Sequence, residues 1–152
     1  MPCFLSFLFY KNYYLRFFIE PTKPKKTLGR KTKLLKLTLN GYARIFNAKF
    51  DNFAFLNIQK IPGQKIEAGY FEIDASEVKL FEKREAGSRL VKVKSDFYAF
   101  IWPEYLTAEL PVLFSYVNAC VNGANELKIN FWQGTKWPKQ IIDDRLSPLY
   151  EA

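Results

Sequence analysis

From Leu34 to Ile73 the chain is written almost wholly in strand patterns, and a helical pattern follows at once. That order limits the fold more than any other feature. In Leu34-Leu35-Lys36-Leu37-Thr38-Leu39 the residues Leu35, Leu37 and Leu39 alternate with polar neighbours, as a half-buried strand requires. Asn40-Gly41 comes next, then Tyr42-Ala43-Arg44-Ile45-Phe46. The Asn-Gly pair is either a two-residue hairpin turn or a bulge inside one longer strand. Phe53 to Ile58 is a further strand, Ile61-Pro62-Gly63-Gln64 reads as a turn, and Lys65 to Ile73 is another strand. Leu90 to Val93 and Phe97 to Trp102 complete the set. Short connections between such strands imply an antiparallel-leaning sheet, curved or closed into a barrel.

Two helices are expected. The later one runs from about Pro111 to Leu127, with Leu113, Val117, Cys120, Val121, Ala124 and Leu127 as its apolar stripe and Pro111 in its first turn. The earlier one starts at a capping-box-like Asp74…Glu77 pair and stops at Gly87. At about 100° per residue, Val78, Phe81, Glu82 and Glu85 share one face of it. Glu85 sits near the middle of that stripe. A carboxylate there must be paired, hydrogen-bonded or functional, unless the helix frays before it and leaves it in solvent.

The chemistry open to this chain is narrow. It has no histidine, so histidine triads and histidine bases are excluded. Acid–base work near neutral pH falls to a carboxylate, Lys or Tyr. Cys3 and Cys120 are the only cysteines and form no Cys-x-x-Cys pair, so no zinc site is expected. Two isolated cysteines fit a reducing compartment. The apolar run Cys3 to Tyr10 is far too short for a membrane span and lacks a basic region before it. The net charge of +8 owes much to Lys23, Lys25, Lys26, Arg30, Lys31, Lys33 and Lys36. That run is read as a solvated edge, where lysines also discourage aggregation. No nucleic-acid motif is present, so nucleic acid is not the expected partner.

The stretch Phe81-Glu82-Lys83-Arg84-Glu85-Ala86-Gly87-Ser88-Arg89-Leu90-Val91-Lys92-Val93 resembles a segment of bacterial gamma-glutamylcyclotransferase-like proteins, in which a helix ends in Arg-Glu-Gly and a strand follows. Other pieces resemble the same family in the same order. They are Leu39 to Asn47, Ala54 to Ile58 with Pro62-Gly63, Ala68 to Ile73, and the tail Asp143-Asp144-Arg145-Leu146-Ser147-Pro148-Leu149-Tyr150. The resemblance runs from Thr27 to the end. It divides the chain into a divergent or aberrant N-terminal segment, 1–26, and a gamma-glutamylcyclotransferase-like domain, 27–152.

What the resemblance implies is an α+β fold: a small barrel-like mixed or antiparallel sheet, a catalytic helix and a C-terminal helix. It also implies cyclisation of a gamma-glutamyl compound to 5-oxoproline with release of its amine. Glu85 would be the catalytic carboxylate, with no metal and no cofactor. The partner would be a small gamma-glutamyl substrate and the setting cytoplasmic, with no membrane. Two departures stand out. The family's Tyr-Gly-Ser-Leu-type loop, whose backbone N–H groups hold the glutamyl part, should fall near Leu15-Arg16-Phe17-Phe18, and no glycine precedes Gly29. Ser88 stands where the family often has an aromatic residue. The alternative expectation is therefore an inactive member of the same fold.

Overall fold

A computed structural model describes residues 33–50, 52–72, 75–84, 88–94, 97–102 and 110–144. The segment 1–26, the lysines and arginine from Lys23 to Lys31, the expected cap Asp74 and stop Gly87, and the tail from Arg145 lie outside the described residues.

The strand-patterned run forms one long antiparallel hairpin. Strand β1 (Leu35–Phe50) pairs with β2 (Phe53–Tyr70), from Leu35↔Tyr70 at the open end to Phe50↔Phe53 at the turn. Asn40-Gly41 is the bulge, not a turn. Pairing jumps from Asn40↔Lys65 to Tyr42↔Lys60, and Gly41 takes a φ of +82°, which a side chain would strain. The Ile61 to Gln64 turn is corrected by the same jump. These residues loop out within β2 opposite Gly41, so what reads as two strands is one. A second bulge makes Asn47 the extra residue between Phe46↔Leu56 and Ala48↔Phe55.

Burial follows the sequence pattern as far as the first bulge. Leu39 is buried while Lys36 and Thr38 are exposed. Beyond it alternation fails: Tyr42 to Arg44 and Ala54 to Ile58 are buried without a break. Both faces of the hairpin are covered there. On one side lies helix α2 (Phe114–Glu126), whose Tyr116 hydroxyl accepts the Leu56 N–H at 3.1 Å while its ring meets Phe55 edge-on at 4.8 Å. A bonded hydroxyl on a buried ring removes the cost of burying it.

The remaining elements are short. Helix α1 (Val78–Arg84) follows a 3-10 turn, Ala75–Glu77. Strands β3 (Arg89–Lys94) and β4 (Phe97–Ile101) form a second antiparallel hairpin. Strand β5 (Val112–Leu113) pairs in parallel with β6 (Ile141–Ile142). That pairing corrects the expected start of α2. Val112 and Leu113 are held extended by β6, so the helix begins at Phe114 and Pro111 lies outside it. The Ala54 N–H bonds the Pro111 carbonyl at 3.0 Å and ties this unit to β2. The class is the expected α+β, mostly strands with two helices. No helix among the described residues is long and apolar enough to cross a membrane.

After α2 the chain turns through Phe131 to Gly134 and lays residues 134–136 along β1. The Arg44 N–H bonds the Gly134 carbonyl and the Lys136 N–H bonds the Arg44 carbonyl, each at 2.9 Å. Gly134 is needed twice over. Its φ is +79°, and a Cβ there would meet the Lys65 carbonyl oxygen and Ile66 Cγ2 at 2.6 Å. Gly134→Ala is expected to destabilise the protein by about 2 kcal/mol or more, read as a lowered urea midpoint with an unchanged slope.

Candidate functional site

Glu85, the carboxylate singled out by the sequence, lies outside the described residues together with Ala86 and Gly87. The elements on either side of it are described. Phe71, at the end of β2, is fully buried and anchors the chain before α1. Tyr70 meets Phe97 edge-on at 5.4 Å, which joins the end of β2 to the start of β4. Along α1, Val78 is half-buried, but Glu82 and Leu80 are exposed. Glu82 therefore does not share a buried stripe with Val78, and that part of the expected face is corrected. Ser88 is half-buried and leads into β3.

The polar centre that the structure does show is Arg44, in the middle of β1. It is fully buried. Its Nη1 donates to the carbonyls of Phe131 at 3.1 Å and Gln133 at 3.0 Å, and to Thr135 Oγ1 at 3.4 Å. Its Nη2 donates to the Glu67 carbonyl. The guanidinium also lies 5.4 Å from the centre of the Phe131 ring. Burial lowers its pKa to about 10, with Cys120 and Glu67 nearby acting in the opposite direction. The group stays charged at neutral pH, and its Nη1 and Nη2 donors go to oxygens of two segments, while no acceptor among the described residues faces its buried Nε. It is a structural pin.

A second buried polar set joins β2 to the chain just after β4. The Asn57 carboxamide copies a strand neighbour: its Oδ1 accepts the Trp102 N–H at 3.0 Å and its Nδ2 donates to the Trp102 carbonyl at 3.2 Å. The same Nδ2 donates to Asn47 Oδ1 at 3.0 Å, and Asn47 donates to Gln59 at 3.1 Å. The bulge at Asn47 thus serves to turn its amide toward Asn57. Just past the end of β4, a side chain of β2 takes the place of a strand partner for Trp102.

The tail motif supplies a third contact. Asp144 is buried, and its Oδ1 accepts the Ser115 N–H at 2.9 Å while Oδ2 accepts the Ser115 hydroxyl at 2.5 Å. Leu113, the N-cap of α2, offers no capping side chain. Asp144 caps the helix from a distance instead and puts its negative charge at the positive end of the helix.

Of the basic run, Lys33 is exposed and Lys36 pairs with Glu67 at 3.6 Å across the hairpin. An open hollow lies between this part of the hairpin and the following turn, lined by Thr38, Lys65, Ile66, Glu67, Asn130 and Gln133. Among the described residues no cluster of His, Cys, Asp or Glu could hold a metal ion.

No protein-family model matches the sequence, and no curated protein matches it. Solved structures do match the fold. YkqA from Bacillus subtilis aligns over 78% of this chain with a TM-score of 0.56 at 16% identity. The match covers 48% of YkqA, so the chain spans about half the length of that protein. An uncharacterized human protein aligns over 81% of this chain and 80% of its own, with a TM-score of 0.55 at 12% identity. A structure called gamma-glutamyl cyclotransferase aligns over 62% of this chain and 66% of its own at 12% identity, with a TM-score of 0.48. At such identities the first two likenesses establish a shared fold and leave the chemistry to be argued from residues.

Arg44 gives the sharpest test of the geometry. Arg44→Met keeps most of the apolar stem but removes the guanidinium and strands the Phe131, Gln133 and Glu67 carbonyls. It is expected to cost about 3 kcal/mol or more, measured by urea denaturation. Arg44→Lys is expected to recover only part of the loss, since an ammonium cannot span acceptors on both segments.

Proposed function

We propose that this chain is a gamma-glutamylcyclotransferase-like protein in which Glu85 is the general acid and base. The observation that carries the reading is the order of the elements. The motif pieces fall in β1 (Leu39 to Asn47), in β2 (Ala54 to Ile58, then Ala68 to Tyr70), and across α1 and β3 (Phe81 to Val93). Glu85 follows directly on Arg84, the last residue of α1, and precedes β3. The shared α+β fold agrees with this reading.

The chemistry suits the residues available. The α-amino group of a gamma-glutamyl compound attacks its own γ-carbonyl carbon. A C–N bond forms to close the five-membered lactam, and the γ-amide C–N bond breaks. One proton leaves the attacking ammonium and one is delivered to the departing amine, so a single carboxylate at Glu85 can do both in turn. Because attack is intramolecular, holding the glutamyl chain curled supplies much of the rate. The reaction requires no electron transfer, and a carboxylate does the work that histidine does elsewhere. The cytoplasm, where small gamma-glutamyl compounds meet a reducing setting, is the proposed location.

One observation favours a second reading. The stretch Leu15-Arg16-Phe17-Phe18 has no Tyr-Gly-Ser-Leu loop, so the donors that would hold the glutamyl part are not recognisable in residues 1–26. On that reading the domain keeps the fold and has lost turnover.

The two readings part on one assay. The active form releases 5-oxoproline from gamma-glutamyl amino acids, amines or glutathione, and Glu85→Gln lowers turnover at least about a hundredfold, the usual contribution of general acid–base catalysis. Circular dichroism of the variant should be unchanged. A wild-type protein silent on all three substrate classes, with Glu85→Gln as stable or more stable, establishes the inactive form.

A further inference from the structure

A stacked pair of tryptophans lies on the turn that Arg44 pins. Trp132 and Trp137 face each other with ring centres 3.6 Å apart and planes 5° apart. Trp132 in turn meets Phe131 edge-on at 5.0 Å, and Phe131 is buried beneath the Arg44 guanidinium. The inner ring is therefore seated on the core. The outer ring is not covered: Trp137 is 60% exposed. Large aromatic surface left in water costs free energy unless something else fills it.

The surroundings select by charge. Between Glu126 and Asp143 the chain carries no acidic residue. Within that span Lys128, Lys136 and Lys139 are all exposed. Gln133 and Asn130, beside Trp132 in the turn, line the open hollow with Thr38, Lys65, Ile66 and Glu67, whose carboxylate is paired with Lys36. A flat ring on the Trp137 face, with negative charge reaching the lysines, matches this arrangement.

We propose that the Trp132–Trp137 stack is a binding platform for a nucleobase that carries phosphate, with Trp137 stacking on the base and Lys136 and Lys139 meeting the phosphate. This departs from the partner expected on sequence alone, where no nucleic-acid motif is present. The stack becomes visible only once the turn at Phe131 to Gly134 brings the two indoles together. Base–aromatic stacking tolerates any base, so modest sequence preference and strong salt dependence follow.

The test uses the full chain, a fluorescently labelled oligothymidylate of roughly ten nucleotides, and anisotropy as the readout. Binding is expected at low salt, with an affinity that falls with a log–log slope of about −1.4 if Lys136 and Lys139 each meet one phosphate. Trp137→Ala should weaken it about tenfold, and Trp137→Phe should keep most of it. Changing Lys136 and Lys139 to Gln should weaken binding and flatten the salt slope. Competition with thymidine monophosphate identifies the source: displacement at equal nucleotide concentration points to a free nucleotide, and poor displacement to a strand. Either result supports the platform. No binding at low salt, binding unaltered in Trp137→Ala, or equal competition by a neutral disaccharide would overturn it.

Discussion

The structure depends on Arg44. Its backbone pairs on both sides with residues 134–136, and its side chain reaches the Phe131, Gln133 and Glu67 carbonyls. One residue thus joins β1, β2 and the segment after α2. A guanidinium in a dry interior is costly to place, and burial lowers its pKa to about 10. The cost is offset because its partners are carbonyls that would themselves be buried without donors. A leucine in that place would fill the space and leave those oxygens unpaired. Charge here provides geometry: the planar Nη1 and Nη2 donors fix the turn at one distance and one angle from the hairpin.

Around that pin the other polar contacts perform similar tasks at other seams. Asn57 of β2 pairs through its side chain with the Trp102 backbone just after β4, and Asp144 caps α2 from the chain that follows it. Each replaces a missing backbone partner with a side-chain one. The result is a hairpin held on both faces, with its far end passing through Phe71 into α1.

The sequence made the strands legible because Leu35, Leu37 and Leu39 alternate against Lys36 and Thr38. It left Asn40-Gly41 open because a turn and a bulge need the same backbone angles; only pairing partners decide between them. Pro62-Gly63 misled for the same reason: a looped-out bulge and a hairpin turn use the same residues. Strands β5 and β6 were not legible, since two residues carry no period. Arg44 could have been found. Tyr42, Arg44 and Phe46 alternate onto one face, so the rule that marked Glu85 on a helical stripe also marks an arginine on an apolar strand face. Asp144 was visible only as part of a family-like tail. Its work as a cap depends on a contact 29 positions away in sequence.

The proposed chemistry turns on which nitrogen ends in the product. A gamma-glutamyl amino acid labelled with ¹⁵N at the glutamyl α-amino group, followed by ¹⁵N NMR with the wild-type protein, reads this directly. The account predicts that the ammonium signal is replaced by a lactam N–H signal as unlabelled amino acid is released. Label that stays in the ammonium of free glutamate would show hydrolysis, and label that stays in intact substrate would show no reaction; either would contradict ring closure by this protein.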